Sequence, residues 1–111
     1  MDSETIYKAT ILDVVFKISR NHTPFIDLIA ETDDDSKRKI DACYYFADRS
    51  KYFSYKELTK ILNDFDIEVD EENILNSLVH LKGKEIYLIE MPKYENKYRI
   101  SKYYKDINNN S

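Results

Sequence analysis

The segment LVHLKGKEIYLIE, Leu78 to Glu90, contains Gly83, the single glycine in a chain of 111 residues. Apolar residues before this glycine recur at helical spacing, whereas those after it alternate as they do in a strand. A glycine just past a helix end adopts a left-handed conformation at little steric cost, and the flanking Lys82 and Lys84 suit the negative end of a helix dipole. Gly83 is therefore predicted to end a helix and to precede a strand.

Helical spacing extends upstream of this segment in two stretches. In SYKELTKIL, Ser54 and Glu57 match a capping box, which predicts the start of an amphipathic helix at Ser54. A second helix is predicted from near Asp70 to Lys82, with the acidic residues 70–72 at the positive end of its dipole. The apolar stripes of the two helices are Leu58, Ile61, Leu62 and Phe65, and Ile74, Leu75, Leu78 and Leu81.

The N-terminal part of the chain alternates with a period of two, which indicates β-strands. YKATILDVVFKIS, from Tyr7 to Ser19, slips in phase near Ile11, and this slip predicts either a β-bulge in one long bent strand or two shorter strands with a kink. FIDLIAE (25–31) and IDACYYF (40–46) alternate without a slip, and TDDDSKRK between them is typical of a hairpin connection. The residues expected to face the core on these two strands are Ile26, Leu28, Ala30, Ile40, Ala42 and Tyr44.

After Gly83, the segments KEIYLIEM and YRISKYY alternate on either side of a proline-containing turn, which predicts a final hairpin. The element order is then βββ-α-α-ββ, in a mostly β protein with a helical insertion (α+β). This order favours a five-stranded OB-like barrel, with a flat five-stranded α+β sheet as the alternative. A single OB-like domain is expected over residues 1–107, followed by a frayed polar C-terminus at 108–111.

Composition and motifs narrow the possible functions. The net charge of −4, from 17 basic and 21 acidic side chains, excludes a bulk polycation but allows a local basic patch. Cys43 is the single cysteine, so no intrachain disulfide is possible, and neither a metal nor a cofactor is expected. The acidic N-terminus is unlike a signal peptide and no apolar run is long enough to span a bilayer, which predicts a cytoplasmic protein without a membrane partner. Catalytic motifs are absent from the sequence, which argues against an enzyme.

The chain resembles small phage-encoded OB-fold-like proteins of the single-stranded DNA-binding or recombination-accessory kind. The segments that carry the resemblance are YKATILDVVFKIS, the strand ending in YYF, the helical LTKIL, LKGKEIYLIE and YRISKYY. The resemblance implies an OB fold, a non-catalytic role in phage replication or recombination, and a place in the cytoplasm of a bacterial host cell.

Single-strand binders combine basic side chains along the phosphates with aromatic rings on which bases stack. The loop after the first strand and the last hairpin loop supply such residues on both sides of an outward-facing tyrosine. Residues predicted to bind single-stranded DNA are Lys17, Arg20, His22, Tyr45, Lys93, Tyr94 and Lys97. The same outer face carries Asp27, Glu31 and Asp41, and these carboxylates are expected to face solvent and to repel phosphates.

Two other functions fit the sequence. An acidic surface is predicted at Asp64, Asp66, Glu68, Asp70, Glu71 and Glu72, and such a surface suits a basic nucleic-acid groove on a partner protein. With the ten tyrosines it favours a phage counter-defence inhibitor of the anti-CRISPR kind, which would bind a basic nucleic-acid-handling protein. A homodimer that pairs through an edge strand is the third possibility.

Overall fold

The computed structural model describes residues 6–90 and 98–100. Five strands in these ranges form one closed sheet in the order β1-β2-β3-β5-β4, in which β4 also pairs with β1. The strands are β1 (Ile6–Ile18), β2 (Pro24–Thr32), β3 (Lys39–Tyr45), β4 (Glu85–Glu90) and β5 (Tyr98–Ile100). Helix α1 (Lys51–Asp64) and helix α2 (Ile74–Leu78) lie between β3 and β4, so the predicted mostly β, α+β element order is confirmed.

The long first strand contains the predicted irregularity. Its first half pairs with β4 and its second half with β2, and the register with β2 shifts between Ile11 and Asp13. A bulge of this kind bends a strand and increases its twist. Of the two predicted possibilities, one bulged strand or two shorter strands, the structure contains the first. The bend allows β1 to pair with β2 along one part of its length and with β4 along the other.

The interior of the sheet follows the predicted alternation. Register pairs β2 and β3 through Ile26 with Tyr44, Leu28 with Ala42, and Ala30 with Ile40. All of these side chains are buried except that of Tyr44, which packs against the core while remaining partly exposed. The helices and the 3-10 turn that follows α2 contribute Leu58, Ile61, Leu62, Leu78 and Leu81 to the same core.

Helix α1 begins earlier than the capping box predicted. Ser50 occupies the N-terminal flanking position, and Ser54 lies buried one turn inside the helix. The hydroxyl of Ser54 donates to the carbonyl oxygen of Tyr45 at 2.5 Å instead of capping a free amide. This tertiary acceptor satisfies the buried hydroxyl, so the prediction of a helix start at Ser54 is wrong.

Helix α2 begins later than predicted, at Ile74. The side chain of Asn73 caps it by accepting from the amide of Leu75 at 3.1 Å. The Asp70 carboxylate instead accepts from the amides of Glu72 and Asn73, which closes a local turn ahead of the helix. The acidic residues 70–72 therefore lie in the connection, and their predicted role at the helix dipole is wrong because side chain to backbone bonds compete with helix formation.

Helix α2 ends at Leu78, four residues before the predicted end at Lys82, and a 3-10 turn, Val79–Leu81, follows it. Gly83 lies in the turn between this 3-10 segment and β4, beside the bulge. Its φ of +85° is in the left-handed region that favours glycine. The amide of Gly83 donates to the carbonyl of Ile11 at 2.8 Å, and the amide of Ile11 donates to the carbonyl of Lys84 at 3.0 Å. The reversal at Gly83 thus leads the chain directly into its pairing with β1.

Replacing Gly83 with alanine is expected to lower the free energy of unfolding by about 1–2 kcal/mol, because an L-residue at this φ is strained. Apart from Gly83 and its two chain neighbours, no atom of the described residues lies within 4 Å of the added Cβ, so the cost is one of backbone conformation and not of a clash. Urea denaturation of Gly83→Ala measures it. Gly83→Asn is the matched control, and its free energy of unfolding should fall less, since asparagine tolerates this conformation. An alanine variant as stable as the parent protein would refute the prediction.

Several predicted features lie outside the described residues. These are the loop residues Lys93, Tyr94 and Lys97, the end of the last predicted strand, and the C-terminus at 108–111. Within the described ranges, no helix has both the length and the apolar character needed to cross a bilayer.

Candidate functional site

A row of three side chains crosses the outer face of β1, β2 and β3. Lys17 pairs with Phe25, and Phe25 pairs with Tyr45, so the three side chains lie next to one another on one face of the sheet. The rings of Phe25 and Tyr45 are stacked, with centroids 4.8 Å apart and planes inclined by 28°. We call Lys17, Phe25 and Tyr45 the aromatic row; it places a cation beside a pair of partly exposed rings.

Phe25 is the residue of this row that the sequence analysis missed. The alternation that directs Ile26 and Leu28 inward also directs Phe25 outward, at the start of the FIDLIAE stretch. The alternation in the sequence therefore indicated this residue, and including Phe25 among the outward-facing residues of the second strand would have identified it. Lys17 and Tyr45 were predicted, and the structure brings them together through Phe25.

Arg20 and His22 lie in the turn between β1 and β2, at the same end of the sheet as the aromatic row. Ser19 and Thr23 close this turn, since the amide of Ser19 donates to the carbonyl of Thr23 at 2.9 Å. His22 has a φ of +64°, and both predicted residues are exposed. Four of the seven predicted DNA-binding residues are thus within the described chain and at one end of the sheet.

A cluster of two carboxylates and a thiol lies immediately beside the aromatic row. The ligand atoms of Asp27, Asp41 and Cys43 are all within 4.8 Å of one another, and the Cys43 thiol lies 3.6 Å from Asp27 Oδ1 and 3.7 Å from Asp41 Oδ2. We call these three residues the acidic centre. Lys17 closes over it, with Nζ 3.2 Å from Asp27 Oδ2.

Asp27 does not face solvent as predicted, because only 4% of it is exposed. Its position on the outer face is as expected, but Lys17 and Cys43 from the adjacent strands cover it. Lys17 supplies one compensating charge for the buried carboxylate. Repulsion of a ligand phosphate by Asp27 is therefore weaker than the sequence suggested.

The pKa values in the acidic centre show how its charge is held. A hydrogen bond to the Asp27 carboxylate, partial burial and repulsion by the Asp27 charge together raise the pKa of Asp41 to about 6. Burial and the two neighbouring carboxylates raise the pKa of the Cys43 thiol to about 12. Cys43 is therefore a protonated thiol at neutral pH and not an activated nucleophile.

The acidic centre is also the group within the described residues whose donor atoms are spaced closely enough for a metal ion. Two carboxylate oxygens and one sulfur are a possible ligand set for zinc. Such an ion would have to displace the thiol proton of Cys43 and compete with the Lys17 ammonium for Asp27. Lys17 already compensates the charge of Asp27, so the geometry does not require a cation.

Replacing Asp41 with asparagine is expected to stabilise the protein at pH 7 by about 1 kcal/mol, once solvent screening of this partly exposed group is allowed for. The pKa of Asp41 is raised on folding, so the folded state holds the extra proton, and the corresponding stability is lost as pH rises through about 6. Urea unfolding between acidic and neutral pH should show this loss in the parent protein and a flatter profile in Asp41→Asn. Glu31→Gln, on the same face, is the control; an unchanged slope in Asp41→Asn would contradict the assignment.

The predicted acidic surface is divided between two places. Glu68, Asp70, Glu71 and Glu72, together with Val69, Asn76, Ser77 and His80, line an open groove of about 740 Å³. Asp64 ends α1 and Asp66 follows in a turn with a φ of +57°, and neither lines the groove. Glu68, Glu71 and Glu72 are exposed and form no ion pair with any other described residue. The groove is consequently acidic.

No known protein-family model matches this chain, and no curated protein is significantly similar to it. The resemblance to phage single-strand binders therefore stays a prediction. Function has to be inferred from the geometry and chemistry of the two surfaces.

Proposed function

We propose that this protein is a non-catalytic, OB-type single-stranded DNA-binding protein. The observation that carries the proposal is the aromatic row, in which the stacked rings of Phe25 and Tyr45 lie next to Lys17 on the outer face of the sheet. Unpaired bases stack on such rings with a free energy of about 1–3 kcal/mol each. The Lys17 side chain pairs with Asp27 but is 46% exposed, so its charge is available only in part to a phosphate.

The topology supports an OB-type barrel. The closed strand order, the bulged first strand shared between β2 and β4, and the helices between β3 and β4 all fit that fold. Strand β5 also lies parallel to β3, with Ala42 opposite Tyr98. In OB folds, oligonucleotides bind across the second and third strands, and this is the face that carries the aromatic row.

The charge distribution suggests where the strand would run. The acidic centre lies on one side of the aromatic row, whereas Arg20 and His22 lie in the turn on the other side. Phosphates favour the second side because carboxylates repel them and cations attract them. The DNA would therefore cross the end of the sheet at the β1–β2 turn, with its bases on Phe25 and Tyr45.

The test is a salt-dependent binding assay with fluorescein-labelled oligothymidylate, run beside a duplex of the same length. Contacts from Lys17, Arg20 and one further cation predict a slope of about −2 in a plot of log affinity against log salt. Arg20→Glu should weaken binding, whereas the control Lys84→Glu, which makes the same charge change beside Gly83, should not. Absent or salt-independent binding, or a preference for the duplex, would remove the proposal.

The acidic groove favours a second function, that of a counter-defence inhibitor that binds a basic nucleic-acid-handling protein. Glu68, Glu71 and Glu72, which are exposed and form no ion pair among the described residues, carry this alternative. Its test is protection of target DNA from a panel of purified CRISPR effector nucleases, with the triple lysine variant at these positions as the control. An unprotected target with every effector in the panel, or equal protection by the triple variant, would count against it.

A further inference from the structure

Helix α1 presents a group of aromatic side chains to solvent in its first two turns. Tyr52 is 80% exposed, Phe53 is 62% exposed, and Tyr55 is also exposed. The buried side of the helix is formed by other residues, namely Ser54, Leu58, Ile61 and Leu62. Exposed aromatic side chains grouped on one part of a helix are typical of an interaction site.

The charges around these rings are mainly positive. Four exposed cations lie on or just before the same part of the helix: Arg49, Lys51, Lys56 and Lys60. Lys56 follows Tyr52 by one helical turn and so lies on the same face. Two carboxylates lie nearby. Asp48 Oδ1 is 3.9 Å from Lys51 Nζ, and Glu57 is half-buried and lines a pocket together with Tyr44. We call Tyr52, Phe53, Tyr55 and Lys56 the helix patch.

Helix α1, which carries the helix patch on its exposed side, is tied to the end of β3 through the backbone of Tyr45. The hydroxyls of Ser50 and Ser54 both donate to the carbonyl oxygen of Tyr45, at 2.9 Å and 2.5 Å. Tyr45 is the last residue of β3, and its ring stacks on Phe25. The first turn of α1 is therefore held against the end of the aromatic row.

We propose that the helix patch is a second stacking platform, on which the same single strand of nucleic acid continues beyond Tyr45. This inference rests on the proposed single-strand binding at the aromatic row. Rings interleaved with lysines suit a polyanion with flat bases, whereas the cores of protein interfaces are depleted of lysine. The site would thus span more nucleotides than the sheet face alone can hold.

A comparison of oligonucleotide lengths tests the inference. Oligothymidylates of about 4 and about 18 nucleotides span the site sizes of roughly 4–16 nucleotides known for single OB folds. The variant with Tyr52→Ala and Phe53→Ala should bind the long oligomer about 5- to 150-fold more weakly, as expected for one lost base stack, and should bind the short one normally. Val79→Ala removes an exposed apolar side chain on the 3-10 turn and is the matched control.

A fluorescence measurement gives a second readout that does not depend on affinity. The chain has no tryptophan, so Phe53→Trp introduces one reporter at an exposed position. A base stacked on this indole should quench its emission when the long oligomer binds and not when the short one binds. Oligouridylate of the same length should quench the emission as well, because stacking on an aromatic ring does not by itself distinguish RNA from DNA.

The outcomes separate this inference from the proposed function. Loss of binding in Phe25→Ala, with no effect of the helix variants and no quenching, would overturn the inference and leave the proposed function standing. Binding of no oligonucleotide at all would overturn both. Unchanged oligonucleotide affinity together with a smaller molar mass of the helix variant in light scattering would make the helix patch a protein interface, and this too would overturn the inference.

Discussion

Replacing both rings of the aromatic row, in the double variant Phe25→Ala with Tyr45→Ala, is expected to weaken binding of single-stranded DNA by about 2–4 kcal/mol, which is at least about thirtyfold in affinity. Each ring offers a face to one base, and the two rings are already stacked 4.8 Å apart, so they do not have to be reorganised for binding. Fluorescence anisotropy with labelled oligothymidylate at low salt measures the change.

Phe16→Ala is the matched control for this experiment. Phe16 is also a partly exposed aromatic residue of β1, but it precedes Lys17 by one position and so lies on the opposite face of the strand. Its loss should change DNA affinity by less than about twofold, because it offers no surface to the proposed path of the strand. A folded double variant that binds DNA as tightly as the parent would show that the aromatic row is not the contact surface.

Lowering the pH from neutral to below about 6 is expected to strengthen DNA binding by up to about twofold. Because the pKa of Asp41 is raised to about 6, its carboxyl gains a proton in this range and the acidic centre loses one negative charge beside the row. Asp41 precedes Tyr45 by four residues on β3, a separation of roughly 13 Å. Removing one charge at about that distance from a phosphate changes the free energy of binding by about 0.3 kcal/mol in water. Anisotropy titrations at constant ionic strength across this pH range measure the effect.

Asp41→Asn separates this mechanism from general protonation. It should bind at neutral pH about as tightly as the parent protein binds below pH 6, and its affinity should depend less on pH. His22→Gln removes the imidazole of the adjacent turn, since histidines also gain charge as pH falls. Equal pH dependence in the parent protein and Asp41→Asn, with loss of that dependence in His22→Gln, would assign the effect to the turn and contradict the role of Asp41.

Much of the fold could be predicted from local patterns. Period-two alternation placed Ile26, Leu28 and Ala30 inside the sheet, and the slip near Ile11 marked the bulge. Gly83 was recognisable because a left-handed backbone position restricts residue type wherever it occurs. These signals are strong because each depends on a few consecutive residues and on the direction of their side chains.

The helix starts were predicted less well because capping depends on which acceptors and donors the fold brings near. Ser54 matched a capping box, but the carbonyl of Tyr45 lies close enough to take its hydroxyl. Asp70 matched a helix start, but its carboxylate closes a turn and leaves the cap to Asn73. Competing partners of this kind are not visible in spacing alone.

The sequence by itself determined the order of strands and helices, the inward set of side chains and the left-handed position of Gly83, since these follow from short-range periodicity and backbone sterics. Tertiary structure alone decided that Lys17, Phe25 and Tyr45 form one row and that Asp27 is buried against Asp41. Both features require the register of three strands, which joins residues far apart in the chain. Stacking and proton sharing act only over a few ångströms, so they arise after that register is set.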